Sequence, residues 1–385
     1  MLEKALTGSR KYWVLVTVLL VLTGVGAIFY VQQWNYGLGI TGMSRDVSWG
    51  LYIANFTFFV GVAASAVMVV LPYYLHNYKE FGRITVLGEF LAVAAVAMCI
   101  LFVTIDLGQP SRMVNLILHP SLNSVLFWDV VVLSVYFLLN VVIAWSTLDA
   151  ERKSEPPLAW IKILILISIP WAISIHTVTA FIYSGLAARP FWFTALLAPR
   201  FLASAFASGP ALLIILALIV RRFTGFDPGK VALQKLAQIV TYALIVTLFF
   251  LVVELFTTFY GKMPEHMSHF QYLLFGLDGY AKLVPSMWAS IILALVALVL
   301  LINPNTRRRE SVLAVACGAV FVSIWIDKGL GLIIPGFIPS PTGTVFEYWP
   351  TVPEVFITLG IWALGFLILT ALYKIAVSVK EEISA

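Results

Sequence analysis

Leu236-Ala-Gln-Ile-Val-Thr-Tyr-Ala-Leu-Ile-Val-Thr-Leu-Phe-Phe-Leu-Val-Val-Glu254-Leu-Phe-Thr-Thr-Phe-Tyr260 decides the fold. Glu254 is the only charged side chain in the stretch. A bilayer core of about 30 Å needs roughly 20 apolar residues in a helix, because the helix satisfies its own backbone hydrogen bonds where water cannot. The stretch is long enough and apolar on all sides, so it predicts a membrane span. Comparable runs lie near 12–30, 49–75, 86–106, 124–147, 160–185, 200–222, 284–302, 311–334 and 353–376. With 235–260 they make ten spans in an all-α integral membrane protein. The chain is 61% hydrophobic and only 11% charged, against about a quarter charged in a soluble domain. No polar stretch is left over for a separate soluble domain.

The formal charge of +5 does not point to nucleic acid, because the basic residues sort by loop. If the N-terminus is cytoplasmic, 17 of the 24 Lys and Arg residues fall on cytoplasmic segments. The positive-inside rule then places both termini in the cytoplasm, in a cytoplasmic (inner) membrane. The first span follows Arg10-Lys11, but no small-residue cleavage site follows it, so it reads as a helix rather than a removable signal. The outer connections at 186–199, 261–283 and 331–352 are rich in Gly, Pro and aromatic residues. They serve either as an interfacial belt or as a docking surface.

Spans two to five (49–185) and six to nine (200–334) run in the same directions and read as two four-helix bundles. A parallel internal repeat is one reading of that order, with small-residue starts near Gly61 and Ala203 in each half.

Ionisable groups inside hydrocarbon are costly and mark sites by default. Here they gather toward the outer face. Tyr52 and Asn55 open the second span, Asp106 ends the third, and Asp129 lies just inside the fourth. His176, Glu254 and Asp327 lie in the outer parts of the fifth, seventh and ninth. Asp106 can equally cap a helix end beside water, Asp129 can be interfacial, and Asp327 can pair locally with Lys328. His176 and Glu254 are far from span ends and have no sequence neighbour as partner. Glu89 is set apart in the inner half of the third span, where it is either a snorkelling carboxylate or part of a proton path.

Only His176 of the five histidines lies clearly inside a span, so a bis-histidine haem is not expected. Cys99 and Cys317 are too few for an iron–sulfur cluster, which takes four ligands. No metal site is read from the sequence.

Trp49-Gly-Leu-Tyr-Ile-Ala-Asn-Phe-Thr-Phe-Phe-Val-Gly61 and Asp106-Leu-Gly-Gln-Pro110 resemble the NrfD/PsrC family of quinone-interacting membrane subunits. Gly37-Leu-Gly-Ile-Thr-Gly-Met-Ser-Arg-Asp-Val-Ser-Trp-Gly50 resembles most its DsrP branch, the membrane subunit of the DsrMKJOP complex of sulfate reducers. The resemblance implies two four-helix bundles with peripheral helices. It also implies a menaquinol site near the outer face, with no bound metal. An extracytoplasmic ferredoxin-like iron–sulfur subunit would dock there, alongside further haem and iron–sulfur subunits. The chain would then be a subunit of a menaquinol oxidoreductase rather than an enzyme by itself. Asp106 and the Tyr52–Asn55 stretch carry the resemblance by motif; His176, Asp129 and Glu254 carry it by depth. Two other readings compete. Ten spans with buried ionisable groups suit a secondary transporter, and a cofactor-free membrane anchor would need none of these side chains.

Overall fold

The computed structural model describes residues 1–384. Among them, ten helices are long and apolar enough to cross a membrane: α1 Arg10–Ile40, α2 Leu51–Leu75, α3 Lys79–Asp106, α4 Val125–Lys153, α5 Ala159–Ser184, α6 Leu197–Phe223, α7 Lys230–Tyr260, α8 Val284–Ile302, α9 Glu310–Phe337 and α10 Val352–Ile383. Their ends sort into two faces. Lys4 meets Glu382 and Lys380 meets Glu151 at the face that carries both termini. Gln33, Tyr52, Ile105 and Glu354 belong to the opposite, distal end.

α2 is the hub. Its most apolar window is entirely buried, so it touches protein on every side and leaves lipid contact to its neighbours. It packs against α3, α5, α6, α9 and α10. α1, by contrast, is mostly exposed and lies along α10. Two glycines allow that contact: a Cβ on Gly26 would stand 2.6 Å from the Gly360 Cα. In lipid, such close approach supplies the dispersion energy that the hydrophobic effect supplies in water.

α2 is broken at Ala64, between helical segments Leu51–Ala63 and Ser65–Leu75. The backbone of α6 wedges the break, since a Cβ on Gly209 would lie 2.9 Å from the Ser65 nitrogen. Polar partners satisfy the interruption. The Tyr136 hydroxyl donates to the Ala63 carbonyl at 3.2 Å, and the Ser65 hydroxyl to the Gly88 carbonyl at 3.2 Å. A second irregularity lies in α9, where Trp325–Leu330 forms a π-helical turn. Such turns often occur at functional sites.

The sequence predicts an outer loop from 331, but the structure keeps α9 helical through Phe337, with Gly331–Phe337 buried. These residues are covered by the distal cap rather than by lipid or water. Trp192 donates its indole N–H to the Leu332 carbonyl at 2.8 Å and packs with Trp49 and Phe337. A short helix, Pro264–Leu274, completes the cap. Its His269 Nδ1 lies 2.7 Å from both the Pro335 and Ile338 carbonyls, so that nitrogen carries the proton. Burial holds the His269 pKa below its usual range.

Candidate functional site

The buried polar side chains of the distal half fall into three groups. The first sits where α1, α2, α3 and α10 converge. The Tyr52 hydroxyl donates to Gln33 Oε1 at 2.7 Å, and Gln33 Nε2 donates to the Ile105 carbonyl at 2.6 Å. One residue further on, Asp106 ends α3 with its Oδ1 buried and without a hydrogen-bond partner. A small pocket of about 80 Å³ opens beside it, lined by Tyr30, Gln33, Trp34 and Leu38 from α1 and by Leu107–Pro110. Glu354, at the start of α10, is fully satisfied. It accepts from the Leu51 and Gly42 amides at 3.2 and 3.0 Å and from the Tyr348 hydroxyl. It thereby fixes the N-terminus of α2, where the helix dipole favours a negative charge.

The second group lies inside the first half. His176 is completely buried and neither ring nitrogen has a partner. Asp129 is buried 2.6 Å from the Thr179 hydroxyl, which donates to it. Thr57 and Tyr183 share a hydrogen bond nearby on α2 and α5. A buried polar group without a partner costs on the order of 1–3 kcal/mol. Asp106 and His176 both carry that cost.

The third group lies in the second half and is closed. Arg200 on α6 donates from Nη1 to Glu254 at 2.6 Å and from Nη2 to both Asp327 oxygens at 2.9 and 3.1 Å. Lys328, next along the π-helical turn, sends Nζ to the Phe201 carbonyl at 3.3 Å and over the Phe201 ring at 4.3 Å. Two cations and two carboxylates thus balance. Asp327 pairs with Arg200, not with its neighbour Lys328, because the two side chains leave the turn in different directions. Lys328 instead lies within electrostatic range of His176.

Asn55 belongs to none of these. Its Oδ1 accepts the indole N–H of Trp325 at 3.0 Å and of Trp362 at 2.9 Å, while its Nδ2 donates to the Leu51 carbonyl at 2.7 Å. It pins α9 and α10 to α2. Glu89 lies toward the terminal face, completely enclosed, with both carboxylate oxygens lacking partners. Around it stand Tyr74 and Tyr136, with the Lys380–Glu151 pair beyond at 2.6 Å.

Sequence reasoning does not single out Gln33, Arg200, Lys328 and Glu354 as site residues. Arg200 and Lys328 read there as members of the outer basic set. Arg200 is the first residue of the span read at 200–222, and in the structure the helix begins three residues earlier, at Leu197, which carries Arg200 to the end of its first turn. Gln33 lies in plain view, as an amide near the end of an otherwise apolar run.

A family model described as polysulphide reductase, NrfD, matches residues 39–339. The chain belongs to the NrfD family. A protein of Halobacterium salinarum, provisionally named a dimethyl sulfoxide reductase membrane subunit, is 29% identical over 93% of this chain and 89% of its own length. A selenate reductase subunit of Mesobacillus selenatarsenatis is 26% identical over 90% and 89%. The Hdr-like menaquinol oxidoreductase integral membrane subunit of Archaeoglobus fulgidus is 24% identical over 97% and 95%. With its ten apolar helices, this NrfD-family chain is accordingly a multi-pass membrane protein, and the relatives are named as subunits of oxidoreductases.

Proposed function

We propose that the chain is the quinone-interacting membrane subunit of a respiratory redox complex. It exchanges electrons between menaquinol, bound near the distal face, and an iron–sulfur subunit docked on that face. The bias of basic residues toward the terminal face supports a cytoplasmic location for both ends, which makes the distal face extracytoplasmic. The menaquinol oxidoreductase name of the Archaeoglobus relative supports the quinone type. The DsrP-like stretch at 37–50 supports a place in a sulfate-reduction complex with haem and iron–sulfur partners.

The observation that supports this reading is the α1–α3 pocket lined by Gln33 and Leu107–Pro110, with the unpartnered Asp106 Oδ1 one residue before that lining and Tyr52 behind Gln33, donating to its Oε1. The donor set suits a quinol head: an aromatic and aliphatic slot, an amide to orient a hydroxyl, and a carboxylate to take its proton. A bound quinol supplies two electrons and two protons on oxidation. Asp106 accepts a proton at Oδ1, close to distal water. Gln33, held by Tyr52 and the Ile105 carbonyl, orients the hydroxyl that gives it up. Tyr30, Trp34 and Leu38 exclude water from the slot. His176 can hold the second proton at a ring nitrogen, with Asp129 as relay. Glu254 and Asp327, bonded to Arg200 and balanced by Arg200 and Lys328 together, serve to hold the second half together. Glu89, facing the other way, is a loading point for protons from the terminal face if turnover is coupled to charge movement.

The test is quinol oxidation by the complex purified from native membranes, comparing the wild type with Asp106→Asn and His176→Ala. General-base loss is expected to lower turnover by about 100-fold with assembly intact. Wild-type turnover in both variants overturns the assignment, and solute uptake without quinol oxidation would move the chain to the transporters.

A further inference from the structure

A cavity at the terminal face lies apart from the distal groups described above. It has a volume of about 420 Å³ and sits at the terminal face between the start of α7, the 303–309 connector and the start of α9. That volume falls in the ~300–1,000 Å³ range of small-ligand sites. Four cations line it: Lys230, Lys235, Arg307 and Arg308. The single carboxylate in the lining, Glu310, is engaged by Arg221. Arg307 is held in place at both ends, since its Nη1 donates to the Leu301 carbonyl at 2.9 Å and its own carbonyl accepts from Gln234 Nε2 at 3.1 Å. Its Nε is buried without a hydrogen-bond partner. A guanidinium held by its own backbone and still short of a partner at Nε, lining a cavity that carries surplus positive charge, points to an oxyanion.

Position decides which oxyanion. The cavity lies at the terminal-face ends of two spans, α7 and α9, beside the connector that leaves α8, which is headgroup level for a spanning helix. Exposed apolar side chains lie in its lining and on the spans that flank it. Val231, in its lining, is 54% exposed, and Val299 and Ile302 on α8 and Val315 on α9 are exposed as well. A soluble phosphate ester would use the cations and leave that surface without a role, whereas acyl chains would cover it. Basic pockets between spans hold lipid headgroups by the same combination.

We infer that this cavity binds the phosphate headgroup of an anionic phospholipid, whose acyl chains run down the α7–α8–α9 surface. Arg307 and Arg308 grip the phosphate, and Lys230 and Lys235 set the preference for net negative charge. The inference rests on the spans and the cavity alone and stands apart from the redox reading.

The test uses the full-length chain, with the subunits that purify with it, in nanodiscs of equal phosphatidylglycerol and phosphatidylcholine content. Native mass spectrometry then reads which lipid is retained on release. Selective retention of phosphatidylglycerol is expected, with about fivefold loss for each cation removed in Lys230→Gln and Arg308→Gln. Lys230→Arg should retain the lipid, which separates charge from folding. Arg152→Gln with Lys153→Gln, exposed cations on the same face, should leave retention unchanged. Equal retention of both lipids, or equal loss in the control pair, overturns the proposal. So does displacement of phosphatidylglycerol by millimolar inorganic phosphate, which would make the cavity a site for a soluble anion.

Discussion

The two halves of the distal region hold polar groups at similar depth and treat them in opposite ways. In the second half, Arg200, Glu254 and Asp327 close on one another with every distance between 2.6 and 3.1 Å. In the first, the Asp106 Oδ1 and both His176 nitrogens are enclosed yet unpartnered. Depth and charge therefore do not separate the two groups; hydrogen-bond satisfaction does. A satisfied buried charge holds helices together, whereas an unsatisfied one is kept at a cost that some other role must justify.

Breaking the open half should change chemistry with little change in stability. Asp106→Asn keeps the shape and removes the proton acceptor, so quinol oxidation should drop about 100-fold while the complex still assembles. Breaking the closed half should do the reverse. Arg200→Met leaves two buried carboxylates without their hydrogen-bond donor and with Lys328 as the one cation beside them, and loss of one partner from such a network costs about 3–5 kcal/mol. The expected readout is a large fall in thermal midpoint and in membrane yield. Restoring balance with Glu254→Gln, which leaves Asp327 opposite Lys328, should recover much of it. A stable Arg200→Met with normal assembly would erase the distinction between the halves.

Smaller effects sharpen it. Asn55→Ala orphans two indole N–H groups, so about 1–3 kcal/mol of stability should be lost without a specific loss of turnover. Glu89→Gln should leave quinol oxidation near wild type and, if the terminal-face route operates, reduce charge movement measured in proteoliposomes. The smallest effect concerns the distal cap. The depressed pKa of His269 means that its neutral form is favoured by folding, so its contribution is full above its ordinary value near 6.5 and is lost as pH falls below it. Protection of the 264–274 amides, relative to their intrinsic exchange rates at each pH, should fall from pH 7 to pH 5, and His269→Gln should remove that dependence.

The contrast between halves also marks what the sequence could show. Ten apolar runs became ten helices, since length and hydropathy are local properties and lipid leaves no alternative to a helix. The clustering of Asp106, Asp129, His176, Glu254 and Asp327 toward the end away from the termini was legible too, because span direction converts position into depth. Partnership was not legible. Arg200 and Asp327 are 127 residues apart, and nothing local says that a guanidinium from one span will reach two carboxylates on others. Asn55 looks like a ligand for the same reason, since the two tryptophans that occupy it come from α9 and α10. Gly331–Phe337 looks like a loop because Gly and Pro end exposed helices, while here the cap buries them.

The most direct test of the α1–α3 pocket as the quinone site is photo-crosslinking with an azidoquinone in native membranes, followed by peptide mapping. The account predicts label on residues 30–38 and 107–110, competed by menaquinone and reduced in Asp106→Asn. Label confined to α6, α7 and α9 around Arg200, or spread evenly over the lipid-facing surface, would contradict it.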